Sequence, residues 1–155
     1  VPDGDLGELV NGNSTFAFDL YQAVSEGSEG NLIFSPYSVS LALAMTHAGA
    51  RTTTEQAIAE TMHYLLPQDQ LHPAFNALDL DLTTRAEQAE PDSYTQGEYF
   101  QLSIANTIWG QEGFPFKDEF LVTLGTNYDA GLQTLDFAQQ PEAARQKPKK
   151  QPTAL

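Results

Sequence analysis

The segment Pro36 to Ala48 constrains this chain more than any other, because it has the residues of a helix but no polar face to turn toward water. Tyr37, Val39, Leu41, Ala42, Leu43, Ala44 and Met45 put apolar groups on nearly every side, and a helix that is apolar all round is a buried one. Ser35 offers a capping hydroxyl before it, and Pro36 occupies the first helical position, where a backbone N–H would have no helical partner. Gly49 marks its end. The rest of the chain must wrap this helix.

The wrapping elements show in the apolar spacing. Ala17, Leu20, Tyr21 and Val24 recur at i, i+3, i+4, i+7 after the candidate caps Asn13 and Ser14, with Gly27 as a stop. Asn31 to Phe34 is a short apolar run. Thr53 with Gln56 has the spacing of a capping box for a third helix through Ile58, Met62 and Leu65, and Leu71, Phe75, Leu78 and Leu82 mark a fourth. Phe100 to Trp109 alternates in the manner of a strand, the clearest in the chain. Phe116, Phe120 and Leu124 form a fifth helical stripe, and Gly131 opens a second strand, Leu132 to Phe137. Residues 1–12 are expected to be a flexible N-terminus, 13–144 a folded unit, and 145–155 a disordered basic tail interrupted by Pro148 and Pro152. Thr83 to Gly97 is the other expected long loop.

Charge excludes whole classes of partner. The 155 residues hold 7 Lys+Arg against 21 Asp+Glu, a formal −14. Four of the basic residues, Arg145, Lys147, Lys149 and Lys150, sit in the tail, so residues 1–144 have three basic against all 21 acidic side chains, a formal −18. Such a polyanion repels nucleic-acid phosphates and anionic membrane surfaces. No apolar run reaches bilayer length, and the start Val-Pro-Asp-Gly-Asp has neither a Met nor a signal peptide and reads as processed or trimmed. With no cysteine, disulfides, thiolate catalysis and Cys-ligated zinc are excluded.

Catalytic and metal motifs are equally scarce. There is no Gly-rich phosphate loop, G-x-S-x-G elbow or H-E-x-x-H helix. His47, His63 and His72 share no metal spacing and read as three separate structural or surface imidazoles. Asp79, Asp81, Thr83, Glu87 and Glu90 fall on positions of a calcium loop, but Thr84 stands where its sharp turn needs glycine. No cofactor or metal is expected. On spacing alone Ser35 is an N-cap, Ser38 and Ser40 are first-turn hydroxyls, Asn106 is a satisfied core amide and Trp109 is core. Asn13-Ser14-Thr15 is a glycosylation sequon where the compartment permits it.

Asn31-Leu32-Ile33-Phe34-Ser35-Pro36-Tyr37-Ser38-Val39-Ser40-Leu41-Ala42-Leu43-Ala44-Met45, followed by Gly49-Ala50 and Thr54, resembles the N-terminal signature of the serpins. Leu102 to Trp109, Phe120, Tyr128-Asp129-Ala130 and Leu135-Asp136-Phe137 resemble successive serpin motifs in family order, so the likeness extends over roughly residues 13–144. It implies an α+β class, the N-terminal part of the serpin fold, with helices A to E and strands of sheets A and B but an incomplete set of partners. It also implies no enzyme. A serpin inhibits serine (or cysteine) proteases when its reactive loop is cleaved and inserts into sheet A as a new strand, and that loop lies beyond this chain.

The resemblance gives residues roles that spacing does not. Ser35, Pro36 and Ser38 fall in the shutter, where sheet A opens, and Asn106 and Trp109 fall on a sheet A strand. The implied partner is a target protease and the implied location is extracellular. Glycosaminoglycan binding is disfavoured, since Arg85 is the only basic residue near the fourth helix. A non-inhibitory serpin acting as carrier, chaperone or storage protein is the alternative. In the serpin fold that the resemblance implies, Phe100 to Trp109 has only one of its two neighbours here, Leu132 to Phe137, and the sheet partners of Asn31 to Phe34 lie outside the chain, so the isolated chain is expected to be molten, oligomeric or dependent on a complementary fragment.

Overall fold

The computed structural model describes residues 1–27, 30–88, 104, 106–129 and 131–147. Among them are six helices, α1 (Asp3–Ser25), α2 (Pro36–Gly49), α3 (Thr52–Met62), α4 (Gln68–Glu87), α5 (Asp118–Asn127) and α6 (Pro141–Gln146), and two strands, β1 (Trp109–Gln111) and β2 (Gln133–Leu135).

Helix α2 sits at the centre, as its composition requires. The Ser35 hydroxyl accepts from the Ser38 N–H at 3.2 Å, and Pro36 is the first helical residue. Leu41 and Ala44 join Leu9 and Phe16 of α1, Met62 of α3, and Leu71, Ala74 and Phe75 of α4 in the main core. Met45, one residue further round, packs with Leu124 of α5 and with half-buried Ile108, Phe120, Tyr128 and Leu132. One stripe of α2 stays uncovered. Val39 and Thr46 are exposed and Ala42 and Leu43 are half-buried, at i, i+7, i+3 and i+4 of a single face.

Helix α1 corrects two expectations. It begins at Asp3, so residues 3–12 are helical rather than a flexible lead, with Asp3 and Asp5 complementing the positive helix start and Leu9 buried. The buried stripe is Leu9, Gly12 and Phe16, while Tyr21 is exposed. Asn13 lies inside the helix and caps nothing. Gly12 permits close approach, since a Cβ there would run into the His63 carbonyl.

Helix α3 starts one residue before the expected cap, which puts Thr53 inside the first turn, and the Gln56 amide donates to Glu60 Oε1 at 2.7 Å instead of closing a capping box. At its far end His63 takes a left-handed conformation (φ 55°), and the Tyr64 N–H reaches the Ala59 carbonyl at 2.9 Å. This is a Schellman closure. Helix α4 carries Asp79, Asp81, Thr83 and Glu87, so the calcium-loop pattern falls on a helix, which cannot fold round an ion. Glu90 lies outside the described residues.

The sheet is two-stranded and parallel, pairing Trp109 with Gln133, Gly110 with Thr134 and Gln111 with Leu135. The strand therefore begins where the alternating segment ends. Ile104, Asn106, Thr107 and Ile108 lie outside any ladder, and 100–103 and 105 are outside the described residues. A ladder extends only as far as its partner, and β2 is three residues long. Asn31 to Phe34 likewise pairs with no strand among the described residues, and Ile33 is 96% exposed. Gly110 is buried, and a side chain there would overlap the Phe116 ring and lie 3.3 Å from Leu132 Cδ1. Phe116 precedes α5 rather than opening it. Helix α6 takes in Arg145 and Gln146 from the expected disordered tail, held by buried Ala144 and a bidentate Glu142–Arg145 pair (3.0 and 2.6 Å). Residues 148–155 lie outside the described part.

Candidate functional site

The N-terminal half of α2 carries the serines singled out by resemblance. The Ser35 hydroxyl accepts the Ser38 N–H and donates to the Ser38 hydroxyl at 3.0 Å, so the two form one local cap. Ser35 is exposed, and Pro36 and Ser38 are half-buried. The buried serine is Ser40, one and a half turns in. Its hydroxyl donates to Asn13 Oδ1 of α1 at 2.5 Å and lies 3.3 Å from Tyr64 Oη, which itself donates to the Ser40 carbonyl at 2.6 Å. Burial pushes the Tyr64 phenol well above its ordinary range, and the Ser40 contact offsets this only in part. Spacing missed this triangle because its members are 27 and 24 residues apart. The available signal was a small polar residue embedded in an otherwise apolar helix.

A second polar layer lies about two turns further along. His47 of α2 and His72 of α4 are buried with ring centroids 6.2 Å apart, so two of the three imidazoles expected to be separate come together. His72 Nδ1 is 2.6 Å from Tyr128 Oη, whereas His72 Nε2 and both His47 nitrogens have no partner among the described residues. Desolvation lowers both pKa values; at His47 the Glu55 carboxylate partly offsets it, whereas at His72 His47 and Arg51 add repulsion and the value falls to about 4. Both rings are neutral at pH 7. The third, His63, is partly exposed and pairs with Asp19 at 2.7 Å. The phenols of Tyr37 and Tyr128 are also raised, chiefly by burial.

Asn106 is half-buried, and its Nδ2 has no partner among the described residues, which departs from the expected satisfied amide. Trp109 is half-buried on β1, neither fully core nor exposed. These two lie far from the Ser35 cap in sequence, Asn106 before β1 and Trp109 on it. Among the described residues no three His, Cys, Asp or Glu side chains gather as a metal site, and no serine or threonine hydroxyl bonds to an imidazole. No described helix is long and apolar enough to cross a membrane. The arrangement is a small parallel sheet and a capped, buried helix.

Comparison with known proteins decides what this arrangement belongs to. The family model described as serpin (serine protease inhibitor) matches residues 11–148. The chain belongs to the serpin family. Among its relatives is the human leukocyte elastase inhibitor, 33% identical over 139 residues, which cover 89% of this chain and 34% of that protein. The rat leukocyte elastase inhibitor A is 34% identical over 139 residues with the same coverage, and an uncharacterized serpin-like protein of Methanosarcina mazei is 30% identical over 141 residues, 89% of this chain and 30% of that one. The chain thus spans about a third of the length of the curated relatives it matches.

Proposed function

We propose that the protein carrying these residues is an extracellular serpin-type inhibitor of serine proteases that traps its target by reactive-loop cleavage and insertion into sheet A. The observation that carries this reading is the family match across residues 11–148 together with relatives named leukocyte elastase inhibitor. On this reading α1 to α5 are helices A to E, and β1 and β2 are neighbouring strands of sheet A. The reactive loop belongs to the part of the protein outside these residues. The Ser35–Ser38 cap and Pro36 mark the shutter, where hydroxyls can exchange hydrogen-bond partners as strands separate while large apolar groups would hold one packing. Asn106 is in keeping with the same picture: a half-buried amide whose Nδ2 has no partner among the described residues has a bond to offer an incoming strand.

Loop insertion converts strain into stability, and that is its test. Cleavage of the whole protein within its C-terminal loop is expected to raise Tm sharply, because the cut loop joins the sheet. An unchanged Tm on cleavage would assign the protein to the non-inhibitory serpins.

A further inference from the structure

The loop between β1 and α5 and the C-terminal end of α2 line an open cleft of about 560 Å³. Ile108, Phe114, Phe116 and Phe120 form much of its wall. The Phe114 and Phe116 rings lie 4.8 Å apart, and Phe120 stacks on Phe116 at 6.1 Å. An apolar, aromatic cleft of this size is of the kind that takes small molecules, with orientation set by a few polar groups.

Those groups are unusual for this chain. Residues 1–144 have only three Lys or Arg, and two of them, Arg51 and Lys117, border this cavity. The Arg51 guanidinium is aimed by its own bonds to the Ala48 and Ala50 carbonyls at 2.9 and 2.7 Å. Its second nitrogen reaches Glu119 Oε1 at 3.4 Å, and Lys117 Nζ is 3.9 Å from the same oxygen. All three side chains are more than half exposed, so these pairs are weak and a second carboxylate can compete for both cations.

We propose that this cavity binds a small amphipathic monocarboxylate, with its apolar body among the phenylalanine rings and its carboxylate at Arg51 and Lys117. A neutral apolar molecule gains the burial but not the charge contact. A cation meets Arg51 and Lys117, and Glu119, already engaged by both, repels a second negative charge on a dianion.

The probe is dodecanoate, kept below its micellar concentration and titrated calorimetrically into the whole protein, with dodecanol and dodecyltrimethylammonium as comparisons. Saturable binding at one site is expected for the carboxylate and weaker binding for the other two. Lys117→Gln should weaken dodecanoate about 3- to 10-fold, and Glu119→Gln should tighten it by removing the competing carboxylate. Phe114→Ser, which removes an exposed ring from the cleft wall, should weaken it about 10-fold. Absence of binding, equal binding of the three head groups, or binding indifferent to Phe114→Ser would overturn the proposal.

Discussion

Tyr64 donates its phenolic proton to the backbone carbonyl of Ser40 at 2.6 Å, tying the chain just beyond α3 to the middle of the buried helix α2. The contact also shields the Ser40 hydroxyl, whose donor goes to Asn13 of α1. Three segments therefore meet at one serine. Tyr64→Phe keeps the ring against Phe75 and removes only the hydroxyl. It should cost about 1–2 kcal/mol in urea unfolding of the whole protein, whereas Tyr21→Phe, at an exposed site, should cost nothing measurable. Equal effects from the two would mean the triangle contributes no stability.

The buried imidazoles set a pH dependence whose sign is fixed by burial. His72 falls from an ordinary 6.5 to about 4, and His47 is also lowered, so between pH 6.5 and 4 the unfolded chain binds more protons than the folded one. Stability then rises with pH across that window and is lost as pH falls through it. Full protonation of His72 costs roughly 3 kcal/mol. Asp79, raised by desolvation, works in the opposite direction and blunts the effect. His72→Asn preserves an acceptor for Tyr128 without a titrating ring, and it should flatten the slope of unfolding free energy between pH 4 and 6.5 by close to one proton. An unchanged slope would remove His72 from the account.

Gly110 makes a sterically simple prediction. A methyl group there overlaps the Phe116 ring and crowds Leu132 Cδ1, so the ring or the strand must shift. Gly110→Ala should destabilise the protein by about 1–3 kcal/mol through overpacking, while Gly125→Ala, with nothing within 4 Å of its Cβ, should be neutral or slightly stabilising. Thermal melts of the two variants compare them directly.

The uncovered surfaces predict association of the isolated 155-residue chain. The Val39–Ala42–Leu43–Thr46 stripe lacks full cover, Ile33 is 96% exposed, and β1 has one strand neighbour among the described residues. Apolar faces and open edges of this kind pair between molecules. Size-exclusion chromatography should show oligomers, or a monomer with little amide protection around Ile108 to Gln111. A compact monomer strongly protected there would mean the segment closes its own edges.

The central helix was legible in the sequence because nothing but burial suits a helix without a polar face, and Ser35 and Pro36 announced its start. The start of α1 was not, because Asp3 to Gly12 is glycine-rich and polar, and only Leu9 packing on a distant core makes it helical. The strand was placed early by alternation, which records a preference for extended backbone but not where the partner lies. The cap at Ser35 could be read locally. Ser40–Asn13–Tyr64 and His47–His72 could not, since each joins residues more than 20 apart whose proximity is decided by helix packing.

Protease inhibition is tested most directly by incubating the whole protein with elastase-, trypsin- and subtilisin-like serine proteases and separating the mixtures on a denaturing gel after boiling. A covalent adduct at the summed mass, formed with at least one enzyme and abolished by prior active-site blockade of that enzyme, is the predicted result. Cleaved protein with no adduct for any enzyme would contradict it.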